Sequence, residues 1–310
     1  MKAVVYEKYG LPNVLKLKEV KKPEPTDDEF LVKIHAATVT SGDVRLRASD
    51  FPFLLWLPAR LVLGLFKPKK RILGHEFAGI VEKTGKNSTN FKVGDKVFGT
   101  TTMLKKGSYA EYICLPQKWK HGVVESMPEQ LSFKEAAALP IGAMTAIYLL
   151  EKANLKKGQK ILVYGASGSV GSYAVQIAKQ QGAVVTGVCS SSNFEMVKSL
   201  GIEKLIDYKK EDYSAISEKF DVIFDAVGKT SKSKAKKVLN SKGTFVSVKM
   251  LTKEKQEHLK QIKELAENEL IKPFIDRTFD LNELVEAHEY VDTGRKRGNV
   301  IIEIIKPKKS

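Results

Sequence analysis

The stretch KILVYGASGSVG, residues 160–171, decides the fold of this 310-residue chain. A short apolar run leads directly into a glycine-bearing turn, and the pattern of a helix follows over SVGSYAVQIAKQQG. In the spacing G-x-G-x-x-G, Ala166 replaces the first glycine, while Gly168 and Gly171 keep the other two. Gly168 lets the backbone approach a pyrophosphate, Gly171 lets the helix pack closely on the strand, and the helix N-terminus offers N–H groups to the anion. The sequence therefore predicts a dinucleotide-binding turn with contacts from Gly165, Ala166, Ser167, Gly168, Ser169, Val170 and Gly171.

The end of the next strand indicates which nicotinamide dinucleotide is bound. A site specific for NAD places an acidic residue there to bond the ribose 2′-hydroxyl group. Here the strand AVVTGVC is followed by SSSN, residues 190–193, and the first acidic residue after it is Glu195. Because hydroxyl and amide groups at a helix N-terminus hold a 2′-phosphate that a carboxylate would repel, we predict NADPH as the cofactor. The predicted contacts are Ser190, Ser191, Asn193 and Tyr208, the last of which has the alternative role of a half-buried strand residue.

Alternating strands and helices extend from this turn toward the C-terminus. The apolar segments KILVY, AVVTGVC, KLIDY, FDVIFDAV and GTFVSV are separated by helical segments, which predicts a doubly wound parallel sheet of the Rossmann type. The N-terminal part is instead rich in β-branched and aromatic residues separated by turns, which predicts a β-rich partial barrel, and the tail returns to β character. The predicted class is α/β, with a catalytic domain of residues 1–128 and 271–310 and a cofactor-binding domain of residues 129–270. Ser132 and Glu135 are spaced as a capping box at the start of the first helix of the cofactor-binding domain.

Composition restricts the class of protein further. The net charge of +16 comes mostly from lysines spread along the chain, which is typical of a solubilising surface and also attracts a polyanionic cofactor. Nucleic-acid binding is the alternative, but aromatic residues are not interleaved with basic clusters in a recognisable motif. The start MKAVVYEKYG has the pattern of a strand rather than a signal peptide, and the two cysteines, Cys114 and Cys189, fit a reducing compartment. We therefore predict a soluble, cytoplasmic protein that binds no nucleic acid.

One apolar segment, FPFLLWLPARLVLGLF at residues 51–66, is not explained by these patterns. Pro52, Pro58 and Arg60 interrupt it, and it is too short to span a bilayer, so we predict no membrane span. We interpret the segment as a buried helix or packed loop of the core. The alternatives are that it lines an apolar substrate pocket or touches a membrane surface.

Four further motifs resemble those of the medium-chain dehydrogenase/reductase superfamily. They are GHEFAGIVEKTG (74–85), FKVGDKVFG (91–99), GSYAEY (107–112) and AAALPIGAMTAIYLL (136–150). The segments ASGSVG, VTGVCSSSN, LIDY and GRKRGNVII resemble the quinone-oxidoreductase-like branch of that superfamily, and the motifs occur in family order over essentially the whole chain. The resemblance implies an NADPH-dependent oxidoreductase with a GroES-like catalytic domain beside the Rossmann domain.

The same resemblance bears on whether a metal is bound. Zinc alcohol dehydrogenases of the superfamily hold catalytic zinc with a Cys, the His of the GHE motif and a further Cys or Glu, but here Thr40 stands in place of the first Cys. His75 and Glu76 remain, which is short of the three protein ligands that a catalytic zinc requires. Two cysteines are also too few for the four-cysteine structural zinc lobe. We predict no metal, with His75 in a structural role; an improvised site of His75, Glu76 and Asp43 is the alternative.

Without zinc, the favoured hydride acceptors are compounds that delocalise the negative charge that develops during reduction. A quinone or an α,β-unsaturated carbonyl does so as hydroquinone or enolate, so modest hydrogen-bond donors suffice. The resemblance implies that the catalytic residues are Thr40, Asp43 and Arg45, although a surface salt bridge is the alternative role for Arg45. It also implies further cofactor contacts from Thr145 at a helix start, Gly228, Val248 and Asn299, the last of which could instead serve turn chemistry beside Gly298.

Two rival functions and the oligomeric state stay open at this point. The rivals are a conventional alcohol dehydrogenase and a non-enzymatic NADPH-sensing or nucleic-acid-binding protein. After GTFVSVKM the chain passes almost directly into the charged segment KEKQEHLKQIKELAENEL. Relatives commonly have another edge strand there, through which they dimerise, so we predict either a monomer or a homodimer.

Overall fold

The computed structural model describes residues 1–118 and 120–305. Contacts between Cα atoms divide the chain into two compact units, Met1–Pro140 with Ile275–Ser310, and Ile141–Phe274. The domain boundaries expected after residues 128 and 270 stay a prediction, and each unit is described by itself.

The elements follow one another in the order that the sequence patterns indicate. The first unit begins with β1 (Lys2–Val5), β2 (Lys16–Glu19), β3 (Glu29–Thr38), α1 (Ser41–Ala48), α2 (Phe53–Leu63), β4 (Glu76–Thr84), β5 (Lys96–Thr100), β6 (Tyr112–Pro116), β7 (Val124–Ser126) and α3 (Phe133–Ala138). Next come α4 (Pro140–Ala153), β8 (Lys160–Tyr164), α5 (Ser169–Gln180), β9 (Val184–Cys189), α6 (Phe194–Ser199), β10 (Lys204–Asp207), β11 (Phe220–Asp225), α7 (Lys232–Lys236), β12 (Leu239–Ser247) and α8 (Gln256–Glu267). The tail adds β13 (Ile275–Asp280), α9 (Leu284–Asp292) and β14 (Asn299–Glu303) to the first unit.

The first unit is built around the ten-residue strand β3. Along one side β3 pairs with β4, and along the other it pairs with β6 and with β14, all antiparallel. The larger sheet runs in the order β13-β14-β3-β4-β5-β7, with β6 beside β3, and β1 and β2 form a separate antiparallel pair. Phe30, Val32 and Ile34 lie on one face of β3 in one apolar cluster, and Leu31 between them is buried as well.

The second unit holds a five-stranded sheet in the order β10-β9-β8-β11-β12, with every neighbouring pair parallel. Its central strands are continuous apolar runs because helices cover both faces of such a sheet. The strand order reverses between β8 and β11, so the loops after these two strands diverge and leave a crevice at the carboxyl edge. This architecture confirms the predicted α/β class. In the described part of the chain no strand lies between β12 and α8.

The expected capping box opens α3. Ser132 Oγ accepts from Glu135 N at 3.3 Å, and the Glu135 carboxylate accepts from Ser132 N at 2.9 Å. This local prediction is confirmed. The helix itself packs on β3, β4 and β14 of the first unit.

The interpretation of residues 51–66 as buried core is wrong. The segment forms α2, none of whose side chains is buried, and Phe53 is 93% exposed. The helix is held at its C-terminal end, where Tyr9 Oη donates to the carbonyls of Leu63 and Gly64 at 3.1 and 2.9 Å. An apolar run shows that burial would be favourable, but whether anything packs on it is decided by distant parts of the chain.

No helix in the described ranges combines the length and the apolar character that crossing a bilayer requires.

A buried polar cluster ties α1 to α9 and makes the first unit sensitive to acid. Arg47 contacts His288 Nδ1 at 3.3 Å, and since a guanidinium can only donate, Nδ1 is the accepting nitrogen. Burial lowers the pKa of His288 from 6.5 to about 3, because the charged ring would lose its hydration.

Below pH 6.5, His288 therefore binds a proton in the unfolded chain but stays neutral in the folded chain until the pH approaches 3. We expect the free energy of unfolding to fall by up to about 1.4 kcal/mol per pH unit between about pH 6.5 and about pH 3 because of this group. Urea unfolding of the wild type and of His288→Gln across this range measures the effect. If the two proteins lose stability in parallel as the pH falls, the buried histidine is not its source.

Candidate cofactor and active site

The turn after β8 is held to the neighbouring strand by its backbone. The N–H groups of Gly165 and Ala166 both donate to the carbonyl of Val188, at 2.8 and 3.1 Å. Gly165 has φ +85°, a conformation that favours glycine, and Ala166 is fully buried. Ala166 therefore replaces the first glycine of the motif without loss, because its methyl group packs inward while Gly165 makes the sharp turn.

Gly168 and Gly171 have different roles in this turn. A Cβ built on Gly171 would lie 2.1 Å from the carbonyl oxygen of Gly165, so helix α5 can approach the turn this closely only with glycine there. Gly168 is the N-cap of α5; no side chain caps the helix, and a Cβ at Gly168 would meet nothing nearer than 3.5 Å. The first turn of α5 thus presents its backbone N–H groups beside open space, which fits the pyrophosphate of a dinucleotide.

The serines after β9 already form hydrogen bonds within the protein, which the sequence did not indicate. Ser190 and Ser192 are hydrogen bonded to each other through their hydroxyl groups, and Asn193 Nδ2 donates to Ser167 Oγ at 3.0 Å. Asp207, at the end of β10, accepts from the backbone N–H of Lys209 and from Ser191, and these bonds hold its pKa below the usual value. Sequence reasoning missed this carboxylate because it belongs to a different strand.

A basic pocket of about 290 Å³ lies at the same carboxyl edge of the sheet. Its walls combine tyrosines and lysines from the loops after β8, β10 and β11, namely Tyr164, Tyr208, Lys209, Lys210, Glu211, Asp212, Tyr213, Lys229, Thr230 and Lys234. Lys234 Nζ lies 3.2 Å from Asp212, and the other lysines that line the pocket are exposed. Sequence reasoning did not single out these lysines, because they follow β10 and β11 rather than β9 and no single motif contains them.

The loops after β11 and β12 are organised by one buried carboxylate, Asp225. Its side chain is fully buried and accepts from Gly228 N at 2.9 Å and from Ser247 Oγ at 2.9 Å. Its carbonyl accepts from Val248 N at 3.0 Å. Gly228 and Val248 thus lie side by side at the carboxyl edge, and Asp225 is a positioning residue that the sequence analysis did not single out.

Thr145 lies differently from its expected position. Helix α4 starts at Pro140, so Thr145 belongs to its second turn rather than to the helix start. The helix packs against the phosphate-binding turn, since a Cβ on Gly142 would lie 2.5 Å from Ser169 Oγ. Pro140 fits the first helical position because it needs no N–H partner there.

In the first unit, Asp43 organises the candidate catalytic residues. Its Oδ2 accepts from Thr40 Oγ1 at 2.6 Å and from Thr40 N at 2.9 Å, in a capping box at the start of α1. Its Oδ1 accepts from Gly74 N at 3.0 Å and lies 2.7 Å from His75 Nδ1. Burial by itself would raise the pKa of Asp43, but attraction to His75 and the hydrogen bonds from His75 and Thr40 hold it well below the usual range. Asp43 is therefore an anion that orients His75, with the proton on Nδ1.

The other predicted site residues of the first unit, Arg45 and Asn299, do not join the Asp43 network. Arg45 is exposed on α1, and Asn299 is buried as the first residue of β14. Lys296, which sequence reasoning missed, is partly buried and donates to the carbonyl of Gly298 at 2.8 Å. Burial lowers the pKa of Lys296 to about 8, against the opposing effect of Glu76 and nearby aspartates.

The side chains at the positions of the family's zinc ligands do not fit a zinc site. The Thr40 hydroxyl caps a helix and is a weaker zinc ligand than a thiolate, and Glu76 accepts from Thr38 Oγ1. The bond between His75 Nδ1 and Asp43 would suit a metal-binding histidine, but His75 is then a single ligand where zinc requires three. Within residues 1–118 and 120–305, no three side chains of His, Cys, Asp or Glu come together as a metal would require. The sequence-based expectation of a metal-free enzyme stays a prediction.

Comparison with known protein families matches both units. The alcohol dehydrogenase GroES-like domain matches residues 26–129, and the zinc-binding dehydrogenase family matches residues 169–286. The second match covers helix α5 and most of the residues that line the basic pocket, and the parallel sheet fits a Rossmann-type domain, so the chain is assigned a nicotinamide cofactor.

Three proteins show how far the similarity extends. The 2-methylene-furan-3-one reductase of Solanum lycopersicum is 35% identical over 97% of this chain and 79% of its own length. The chloroplastic NADPH-dependent alkenal/one oxidoreductase of Arabidopsis thaliana is 30% identical over 97% of this chain and 79% of its own. The structure of the quinone oxidoreductase from Coxiella burnetii superposes with a TM-score of 0.87 at 31% identity, covering 98% of this chain and 99% of the other. The resemblance inferred from the motifs is thus confirmed, and this chain is an oxidoreductase of the medium-chain dehydrogenase/reductase superfamily, in its quinone-oxidoreductase-like branch.

Proposed function

We propose that this chain is a zinc-independent reductase that transfers hydride from NADPH to a quinone or an α,β-unsaturated carbonyl compound. The observation that carries the proposal is the uncapped first turn of α5, with open space at Gly168 beside a lysine-lined pocket. The acceptor class is supported by the relatives, which are named for a methylene-furanone, for alkenals and alkenones, and for a quinone.

The preference for NADPH over NADH depends on which charges face the adenosine ribose. Asp207 opposes a 2′-phosphate, but it is largely buried and its oxygens already accept from Ser191 and Lys209. Lys209, Lys210 and Lys229 are exposed around the adjacent pocket, and lysine is a strong donor to phosphate. We therefore assign the phosphate to these lysines together with Tyr208, rather than to the serines alone.

The residues of the chain divide the work of the reaction between them. NADPH, when bound, supplies the hydride. Gly168 and the first turn of α5 hold its pyrophosphate, while Asp225 keeps Gly228 and Val248 in place at the sheet edge. Asp43 is too deeply buried to contact an acceptor, so we assign it and Thr40 to positioning His75, whose Nε2 is the nitrogen able to exchange a proton. Arg45, exposed on α1, stays the proposed group that polarises a substrate carbonyl.

A panel of acceptors tests the function directly. Oxidation of NADPH and NADH is followed with quinones, alkenals and enones, and alcohol oxidation is followed with NADP⁺. We expect turnover on a quinone or an enone, with kcat/KM at least about tenfold higher for NADPH, since one hydrogen bond to a charged phosphate is worth about 1.5–3 kcal/mol. Alcohol oxidation that a chelator abolishes would instead establish a zinc alcohol dehydrogenase, and NADPH binding without turnover on any acceptor would establish a non-enzymatic role.

A variant pair tests the assignment of His75 in the same assay. His75→Gln is expected to bind NADPH normally but to lower kcat about a hundredfold, the usual size of a lost general acid. His35→Gln is the matched control, because His35 is half-buried in the same unit and stacks on Phe133 rather than joining the Asp43 network. Equal turnover of the two variants would remove His75 from the mechanism.

Location and assembly are also proposals. Both cysteines are free, Cys189 buried and Cys114 half-buried, and burial raises their thiol pKa values to about 12 and about 11. Protonated, unpaired thiols fit a reducing compartment, so we propose the cytoplasm. The molar mass in solution, measured by light scattering, decides between a monomer and a homodimer.

A further inference from the structure

The first unit has a large apolar surface that the proposed reaction does not use. Helix α2 and the turn after it expose Phe53, Leu54, Leu57, Leu61 and Phe66, and three of these side chains are at least 84% exposed. Isolated apolar residues are common on protein surfaces, but a contiguous patch of this kind indicates an interaction site. We call these five residues the α2 patch.

The geometry of the helix explains why the patch is continuous. Phe53, Leu54, Leu57 and Leu61 recur at the spacing i, i+1, i+4 and i+8, which places them on one face of α2. Arg60, seven residues after Phe53, lies at the edge of this face, and its guanidinium stacks 3.8 Å from the ring centroid of Tyr9. This contact holds the helix to the unit, while Phe53, Leu54, Leu57 and Leu61 stay exposed.

A basic rim adjoins the α2 patch. Lys67, Lys69 and Arg71 follow the helix within eight residues of its end and are all exposed. Arg60 and Lys70 do not belong to the rim, since both are only partly exposed. Lys69 is exposed although its Nζ also donates to the Leu61 carbonyl at 3.1 Å. The whole chain carries a net charge of +16, so the patch lies on a strongly positive molecule.

We propose that the α2 patch docks the protein on the surface of an anionic lipid membrane. At 11 residues the helix is about 16 Å long, half the thickness of the hydrocarbon core, so it lies in the interface rather than across it. Apolar side chains enter the boundary between headgroups and acyl chains, while the rim contacts lipid phosphates. A second copy of this chain fits less well, because pairing two α2 patches would bring two basic rims together. The proposal stands independently of the reductase activity.

Binding of the full chain to vesicles tests the proposal. Phosphatidylcholine vesicles with and without phosphatidylglycerol are sedimented with the protein, at low salt and at about 1 M salt, where the screening length is about 3 Å. We expect at least about tenfold stronger binding to the anionic vesicles, lost at high salt. Failure of the wild type to sediment with anionic vesicles at low salt overturns the proposal.

Variants separate the apolar and basic contributions. Leu54→Asp/Leu57→Asp is expected to weaken vesicle binding at least about tenfold. Leu251→Asp is the matched control, since Leu251 is 94% exposed but lies in the other unit, and it should bind as the wild type does. Lys67→Gln/Lys69→Gln/Arg71→Gln should lose the preference for phosphatidylglycerol. Unchanged binding by the double aspartate variant excludes the α2 patch as the docking surface.

Trp56 reports directly on the inserted helix. The chain has two tryptophans, Trp56 and Trp119, so Trp119→Phe leaves Trp56 as the single indole fluorophore. Brominated lipids are expected to quench its emission, because Trp56 lies on the docked helix. Two other results would contradict the proposal: a dimer that dissociates in the double aspartate variant, which makes a second copy the occupant, or a raised acceptor KM without vesicle binding, which makes α2 part of the acceptor site.

Discussion

Gly168→Ala is expected to raise the Kd for NADPH at least about a hundredfold while leaving the fold intact. The backbone at Gly168 has φ −82°, which alanine adopts without strain, and the new Cβ would lie no closer than 3.5 Å to any neighbouring atom. The methyl group would instead fill the space in which a phosphate approaches the first turn of α5. Losing two hydrogen bonds to a charged group at about 1.5–3 kcal/mol each accounts for the size of the effect.

Calorimetric titration with NADPH and thermal unfolding of the same samples measure the two properties separately. Gly171→Ala is the informative contrast, because its Cβ would lie 2.1 Å from the Gly165 carbonyl oxygen and the backbone must move. We expect Gly171→Ala to lower both stability and affinity, whereas Gly168→Ala lowers affinity alone. Wild-type affinity in Gly168→Ala would show that the pyrophosphate does not lie against this turn.

Arg47→Met is expected to lower the free energy of unfolding by about 3–5 kcal/mol, a large part of the total stability of a domain. Arg47 is 2% exposed and donates to the Gly10 carbonyl at 3.0 Å and to Asp292 at 2.7 Å, besides its contact with His288. Methionine fills a similar volume but leaves each of these acceptors without its donor. The cost is therefore mainly that of the buried His288 Nδ1 and the partly buried Gly10 carbonyl losing their donor, since water can reach the exposed Asp292.

Equilibrium unfolding in urea measures the loss. Lys18→Met provides the control, because Lys18 forms an exposed ion pair with Glu7 at 3.3 Å in the same unit and should change stability by less than about 1 kcal/mol. Similar losses in the two variants would mean that solvent or a rearranged side chain replaces the buried arginine.

The two units divide the proposed chemistry in a way that the residues themselves explain. Positions that hold the dinucleotide are mostly backbone groups and glycines, because a pyrophosphate is recognised by N–H groups at a helix end. The group proposed to move a proton is a side chain, His75, oriented by the buried anion Asp43. Thr40, which stands where zinc-dependent relatives have a cysteine ligand, also supports this pair, because its hydroxyl donates to Asp43.

The sequence by itself determined the elements of the fold and the phosphate-binding turn. Gly165, Gly168 and Gly171 act through backbone conformation and close approach, which are local properties, and the capping box at Ser132 is local as well. The parallel sheet also followed from the sequence, because strands buried on both faces are continuous apolar runs between helices. Whole-chain motifs in family order were sufficient to identify the superfamily.

Tertiary structure alone decided the rest, because each remaining feature joins residues that are far apart in the chain. Asp43 and His75 are separated by 32 positions and Arg47 and His288 by 241. The family resemblance grouped the first pair, but no local pattern indicates that either pair meets. The lysines of the basic pocket follow two different strands, β10 and β11, and Asp207 at the end of β10 bonds Ser191, which follows the neighbouring strand β9. The exposure of α2 is the sharpest case: apolarity measures how much a segment gains from burial, but only the packing of the whole chain decides whether a partner surface covers it.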